Sequence, residues 1–331
     1  MSGAALDRLL AILLVALLAS GLLTLRSGTP ATAPLFWFHG VVGGVLLVAT
    51  GLKLRRSVGP AIRMRRWGRI ALGALLALLV AAALAGGFAW VAGGRILSIG
   101  PWTILTLHIW AALALIPVVV VHLVPRRFRL LRPPSPARRV SRRTFLATAG
   151  LAVLGTVAWA SANALDRVIG EAPRRFTGSR WLPAGGVPPP TTFYGEGTPT
   201  VDPASWRLRV RGLVERPLQL DLAGLAALGT VDRDATLDCT SGWAMTTGWR
   251  GTPLSAVLSA AGMDASARFV HVRSVTGWST TLEPAELDGA LLATHVAGES
   301  LPAANGSPVR LVVPGGRGLD WIKWVESIDV A

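Results

Sequence analysis

A second cysteine is missing. The 331 residues contain one, Cys239, which excludes a disulfide within the chain and leaves a soft sulfur suited to a transition metal. Acidic residues are missing from the first half. Up to Asn163 only Asp7 stands against 18 Lys and Arg, net +17, whereas the remainder has 15 basic and 17 acidic residues, net −2. The formal +15 of the chain therefore belongs to its apolar part. Its basic clusters lie between apolar runs of spanning length, where they read as topology signals. The stacking platforms and basic soluble face needed for nucleic acid are lacking, which excludes that partner class.

Long apolar runs are what the first half has instead. Crossing a bilayer core at about 1.5 Å per residue takes roughly twenty apolar residues. Five runs qualify: about Leu6 to Leu25, Phe36 to Leu54, Ile70 to Val91, Ile104 to Val124, and the shorter Phe145 to Ser161. Between the second and third lie Lys53, Arg55, Arg56, Arg63, Arg65, Arg66 and Arg69. Between the fourth and fifth lie Arg126, Arg127, Arg129, Arg132, Arg138, Arg139, Arg142 and Arg143. With Arg8 these make 16 basic residues on one side, against Arg26 and Arg95 on the other. The positive-inside rule then predicts a multi-pass protein of a bacterial cytoplasmic membrane with its N-terminus inside and everything after Asn163 on the extracytoplasmic face. Ser141-Arg142-Arg143-Thr144-Phe145-Leu146 resembles the twin-arginine export signal, whose route carries folded, cofactor-loaded domains.

Three of the five histidines, His39, His108 and His122, fall inside these runs, where ionisable groups are costly and usually functional. His39 and His108 lie at matching depths near the outer ends of spans two and four, as the two axial ligands of a haem iron would. His122 follows His108 by 14 residues, about four turns on the same helix face. That spacing resembles di-haem cytochromes b, but the position 14 after His39 is Lys53. A second haem would need His122 with Lys53 or with an unidentified group; helix packing and proton relay are the other roles open to these histidines.

After a Pro-, Gly- and Arg-rich stretch from Arg174 to Pro190, which reads as a linker wrapping onto the next domain, come short β runs such as Trp206 to Val210, Phe269 to Val272 and Val309 to Val313. Helices fit Asp221 to Leu228, Pro253 to Ala261 and Glu283 to Leu287, an α+β pattern. The predicted organisation is residues 1–140, a four-helix cytochrome b-like membrane domain; 141–163, the twin-arginine motif and fifth span; 164–189, the linker; and 190–331, the α+β domain.

Leu237 through Leu258, LDCTSGWAMTTGWRGTPLSAVL, carries a family resemblance together with Thr192-Phe193-Tyr194-Gly195-Glu196, Asp202-Pro203, Arg211-Gly212-Leu213-Val214, Asn305 through Pro314, and Trp321-Ile322-Lys323. These motifs, in this order, resemble the sulfite oxidase family of molybdopterin enzymes, and within it are most similar to the periplasmic methionine sulfoxide reductase catalytic subunits. The resemblance implies a sulfite-oxidase-type molybdopterin-binding domain joined to a five-span membrane α-helical bundle. It implies Cys239 as the catalytic thiolate on molybdenum. Thr192, Gly195, Glu196 and Ser274 would line the pterin site, Asn305 and Arg310 would bind its phosphate and pterin, and Trp321, Ile322 and Lys323 would close over it. An Arg fork and a Lys suit a phosphate independently of any family.

Two departures stand out. Gly315-Gly316-Arg317-Gly318 replaces a Trp-Lys-Tyr-Gly-like run, and the sequence stops at Ala331 without the immunoglobulin-like dimerisation domain of sulfite oxidases. The first departs from the reductase pattern and changes the wall near the substrate opening; the second favours a reductase-like monomeric unit over sulfite oxidation. The expected activity is oxo transfer at molybdenum, reducing a small sulfoxide or other S- or N-oxide with electrons from the membrane quinone pool through haem b. An additional electron-transfer subunit is compatible with this. The alternatives are a sulfite-type dehydrogenase running in the oxidative direction and a haem-free anchored binding module, which would need neither metal nor haem.

Overall fold

A computed structural model describes residues 3–63, 67–124, 142–171, 173–191 and 196–331. The chain divides into two compact units, one of residues 1–24 and 30–180 and the other of residues 25–29 and 181–331.

The first unit is built from α1 (Gly3–Thr24), α2 (Ala33–Arg63), α3 (Trp67–Ala92), α4 (Ile104–Leu123) and α5 (Arg142–Ile169), with a minimal hairpin of β1 (Ser98–Ile99) and β2 (Trp102–Thr103) leading into α4. All five helices are long and apolar enough to cross a membrane. A helix satisfies its own backbone polar groups, which is what permits such sequences to sit in hydrocarbon and to tolerate Pro60 and Pro117 in their interiors. Thr103 caps α4, accepting from the Thr106 amide at 3.1 Å. The bundle core is aliphatic: Leu6 and Leu13 of α1, Leu46 and Ala49 of α2, Val80 and Ala83 of α3, Leu115 and Val119 of α4.

Two helices extend beyond their apolar runs. α2 continues through the basic stretch to Arg63, and α5 continues past Ser161 to Ile169. In α5 the polar residues Asn163 and Asp166 are held by side chains from Arg174 and Arg180, so the helix goes on where hydropathy falls.

α2 and α5 cross in backbone contact. A Cβ built on Gly44 would lie 2.1 Å from the Gly155 carbonyl oxygen, and one on Gly155 would lie 2.4 Å from the Val45 nitrogen. Small residues at such crossings allow close van der Waals packing in a membrane. Gly43 and Gly51, in contrast, have open space where a Cβ would stand.

The second unit is the α+β part. Its first sheet has β10 (Leu291–Val296) between β7 (Trp243–Pro253) and the short β11 (Glu299–Ser300); β6 (Val231–Asp238) pairs antiparallel with β7, β12 (Arg310–Val312) with β10, and the short β3 (Arg180–Trp181) adds to the edge. The second sheet runs β5 (Leu218–Leu220), β4 (Leu208–Gly212), β13 (Val325–Val330), β8 (Val270–Ser274), β9 (Ser279–Leu282), with β13 parallel to β4 and the other pairs antiparallel. Strand alternation places Leu208, Val210, Val270, Val272 and Ile328 in the interior. The expected helices are α6 (Leu222–Ala227), capped by Asp221, and α7 (Leu254–Ala261). At Glu283 to Leu287 there is a single 3-10 turn, Pro284–Glu286, because Pro284 opens a segment too short for an α-helix. Residues 182–188 run along this unit as expected of a wrapping segment: the Leu182 and Gly185 amides donate to the Ala244 and Thr246 carbonyls.

Replacing Gly155 with Val, or Gly44 with Val, should force α2 and α5 apart and lower stability by about 1–3 kcal/mol, the usual cost of overpacking. Thermal melts of the detergent-solubilised chain would register this as a lower Tm, with Gly43→Ala close to wild type.

Candidate molybdenum site and histidine pair

β6 and β7 are joined by a tight turn with Cys239 at its start. The Cys239 amide donates to the Trp243 carbonyl (2.8 Å) and the Gly242 amide to the Cys239 carbonyl (2.9 Å); Gly242 has φ 105°, a conformation open to glycine. The thiol is 7% exposed. Its sulfur lies 3.0 Å from the Ser241 hydroxyl and 3.4 Å from that of Thr191. From below, the Gly318 amide donates to the Asp238 carbonyl (2.8 Å), while Arg317 donates to the Asp238 carboxylate (3.4 Å) and the Cys239 carbonyl (3.3 Å). A Cβ on Gly318 would come within 3.3 Å of the Cys239 Cα. The Gly315–Gly318 run, read from sequence only as a departure, thus clamps the thiol turn.

Arg310 opens β12 and is 4% exposed. One Nη donates to the Asn305 carbonyl at 2.9 Å, and the guanidinium faces the Trp249 and Trp321 rings at 5.6 and 5.9 Å. Among the described residues it forms no ion pair with a carboxylate, and its Nε has no hydrogen-bond partner. Burial pulls its pKa down to about 10, opposed by Cys239. Lys323 donates to the Thr191 and Ala304 carbonyls at 2.6 and 2.7 Å and lies 5.2 Å from the Trp324 ring centre. Burial, followed by the neighbouring Arg310, pulls its pKa down to about 8, against the opposing pull of Glu196 and Cys239. Asn305 is held through its amide to the Pro188 carbonyl (2.9 Å). Ser274 receives the Thr276 amide (3.2 Å), and Thr276 donates to Glu196 (2.7 Å). The buried Ile322 accepts from the Leu311 amide through its carbonyl, and Trp321 meets Trp249 edge-on, centroids 5.4 Å apart. Thr192 and Gly195 lie outside the described residues.

The structure therefore brings Cys239, Glu196, Arg310 and Lys323 into one electrostatic neighbourhood, with Trp321 against Arg310 and Ser274 linked to Glu196 through Thr276. Sequence reasoning missed Thr191, Ser241, Trp249, Thr276 and Arg317. Trp249 could have been found, since it stands in the same motif as Cys239. Among the described residues the indole nitrogens of Trp249 and Trp321 and the Thr247 hydroxyl join Arg310 Nε as buried groups without a hydrogen-bond partner. Dry donors around an uncompensated guanidinium beside a thiol suit an anionic, acceptor-rich group that also brings a soft metal, and molybdopterin has that chemistry. Among the described residues no three His, Cys, Asp or Glu side chains cluster to hold a metal.

In the helical unit, His39 and His108 meet with ring centroids 6.1 Å apart and planes at 84°. His39 Nδ1 is 2.9 Å from the Ser20 hydroxyl, and His108 Nδ1 is 2.6 Å from the Ala83 carbonyl. With Nδ1–H directed to these oxygens, Nε2 is left as the ligating atom on both rings. The separation is about that of two imidazoles each bound some 2 Å from one metal. Lys53, the other residue considered for an inner haem, pairs instead with Asp7 at 2.5 Å. Between His39 and Lys53, and between His108 and His122, the bundle is filled by Leu46, Ala49, Leu115 and Val119.

The arrangement around Cys239 defines a class, the molybdopterin-binding oxidoreductases. The family model for the oxidoreductase molybdopterin binding domain matches residues 195–331. The chain is 30% identical over 225 residues to the protein-methionine-sulfoxide reductase catalytic subunit MsrP of Gluconobacter oxydans, covering 57% of this chain and 69% of that one. It is 30% identical over 169 residues to MsrP of Xanthomonas axonopodis pv. citri, covering 41% and 51%, so it spans about half of that relative's length. To the putative protein-methionine-sulfoxide reductase subunit YedZ1 of Azospira oryzae it is 30% identical over 145 residues, covering 43% and 55%. Among solved structures, the sulfane dehydrogenase SoxCD of Paracoccus pantotrophus matches with 26% identity and a TM-score of 0.39 over 40% of each chain. The chain belongs to the sulfite-oxidase-type molybdopterin oxidoreductases and is a molybdenum-dependent enzyme.

The depressed pKa of Lys323 gives a pH signature in cofactor-free protein. The unfolded chain keeps its lysine protonated up to about 10.5, whereas the folded chain releases the proton near 8. Between these values the unfolded state binds more protons, so stability should rise with pH across that window. Denaturant titrations at several pH values should show the rise in wild type and its loss in Lys323→Met.

Proposed function

We propose that the chain reduces a sulfoxide, methionine sulfoxide being the first candidate, with electrons drawn from the membrane quinone pool. The observation that carries this reading is the buried Cys239 thiol beside an uncompensated Arg310, in a chain similar both to MsrP catalytic subunits and to a YedZ1 subunit of the same reductase type. When bound, molybdopterin supplies two-electron oxygen-atom transfer: sulfoxide, two electrons and two protons give thioether and water. The protein's own groups bind and orient. Cys239 would be the protein ligand to molybdenum. Arg310, with Asn305 behind it, would hold the anionic end of the cofactor, and Lys323 would add a second positive charge. Glu196 and Ser274, with Thr192 and Gly195, would line the pterin, and Trp321 and Ile322 would close over it.

His39 and His108 would hold one haem b and pass electrons singly toward molybdenum. The Lys53–Asp7 ion pair supports a single haem. The Arg-rich loops keep the N-terminus in the cytoplasm, the twin-arginine-like motif Ser141 to Leu146 directs export of the folded α+β domain, and the reaction takes place on the extracytoplasmic face. In this reading residues 1–140 form the cytochrome b-like membrane domain, 141–163 the twin-arginine motif and fifth span, 164–189 the linker and 190–331 the molybdopterin domain.

Two variants separate the halves of this reading. Cys239→Ser should lose methionine sulfoxide turnover with every donor yet keep a reduced-minus-oxidised haem b spectrum. His108→Ala should lose that spectrum and quinol-dependent turnover but keep turnover with a reduced dye. Normal turnover by Cys239→Ser would overturn the molybdenum assignment, and an unchanged spectrum in His108→Ala would overturn the haem assignment.

A further inference from the structure

Arg180 is 1% exposed, at the edge of the helical unit. One Nη donates to Asp166 Oδ1 (2.7 Å) and to the Trp90 carbonyl (3.1 Å); among the described residues Nε and the other Nη have no hydrogen-bond partner. Arg174 donates to the second oxygen of the same carboxylate (2.6 Å) and to Asn163 (2.7 Å). Two guanidiniums thus share one buried carboxylate, leaving a net positive charge and a dry, unsatisfied donor edge. Such a group is costly unless an anion meets it.

Its place in the bundle suggests which anion. Trp90, whose ring lies 5.8 Å from the Arg180 guanidinium, is one turn along α3 from Gly86 and Gly87, the residues packed against His108. Phe176, between the two arginines in sequence, meets Phe36 edge-on at 5.9 Å, three residues before His39. The 174–180 segment therefore touches α2 and α3 at the turns beside the imidazole pair. We propose that Arg180, seconded by Arg174, binds the carboxylate side chains of a haem held by His39 and His108, with Asp166 orienting both guanidiniums. This rests on the electron-transfer reading above. A lipid phosphate would use the same donors, and the test distinguishes the two.

The experiment is potentiometric titration of the haem in the detergent-purified full chain, with haem transfer to excess apomyoglobin timed on the same samples. Arg180→Gln removes a positive charge beside a group that gains an electron, so its midpoint potential should fall and haem should leave faster. Asp166→Asn should shift the potential the other way. Arg180→Lys, the variant kept should Arg180→Gln fail to fold, should hold the potential near wild type but release haem faster, because the fork is lost. Opposite shifts with haem retained are the expected result; a general structural defect would not change sign. Unchanged potentials and transfer rates would overturn the inference, as would loss of bound phospholipid phosphate from Arg180→Gln without a change in potential. A wild-type protein without haem would sink the electron-transfer reading itself and this inference with it.

Discussion

A buried guanidinium, Arg310, that no carboxylate among the described residues neutralises is the constraint on which the α+β unit depends. Arg310 is fixed by the Asn305 carbonyl and two tryptophan faces, and the Lys323 pKa beside it is depressed by burial and then by the Arg310 charge. Two cations held this close in dry surroundings oppose folding unless an anion joins them. The thiol turn at Cys239 and the Arg317 clamp beneath it place a soft ligand within reach of the same field. A site so arranged is incomplete by electrostatics, and the completing group must be anionic, rich in acceptors and compatible with a thiolate-bound metal.

The helical unit shows the same economy of polar groups. Its backbone is satisfied inside the helices and its crossings are set by contacts such as Gly44 with Gly155. Asp7 and Lys53 neutralise each other, and His39 and His108 face each other with their Nδ1 atoms engaged. The Arg174, Arg180 and Asp166 cluster, in contrast, sets two guanidiniums against one buried carboxylate. In both units, charge left over after internal pairing points to a ligand.

Much of this was legible in the sequence because the strongest constraints are local. Spanning helices need length and apolarity, which five runs supply. The matching depths of His39 and His108 follow from helix geometry, and Cys239 and Arg310 stand in motifs whose order resembles one family. What could not be read depends on partners distant in the chain. The end of α5 is set by Arg174 and Arg180, not by its own hydropathy. Lys53 is engaged by Asp7, 46 residues away, and Arg317 reaches Asp238 across 79, although its Gly-Gly-Arg-Gly run reads locally as an open loop. The unpartnered edge of Arg180 is visible only once all its neighbours are placed.

The most direct test is molybdenum content, measured by mass spectrometry on the purified, folded full chain and compared with Arg310→Gln. The account predicts one molybdenum for each wild-type chain and a marked loss in the variant. Folded, exported wild-type protein without molybdenum, or full occupancy in Arg310→Gln, would contradict it.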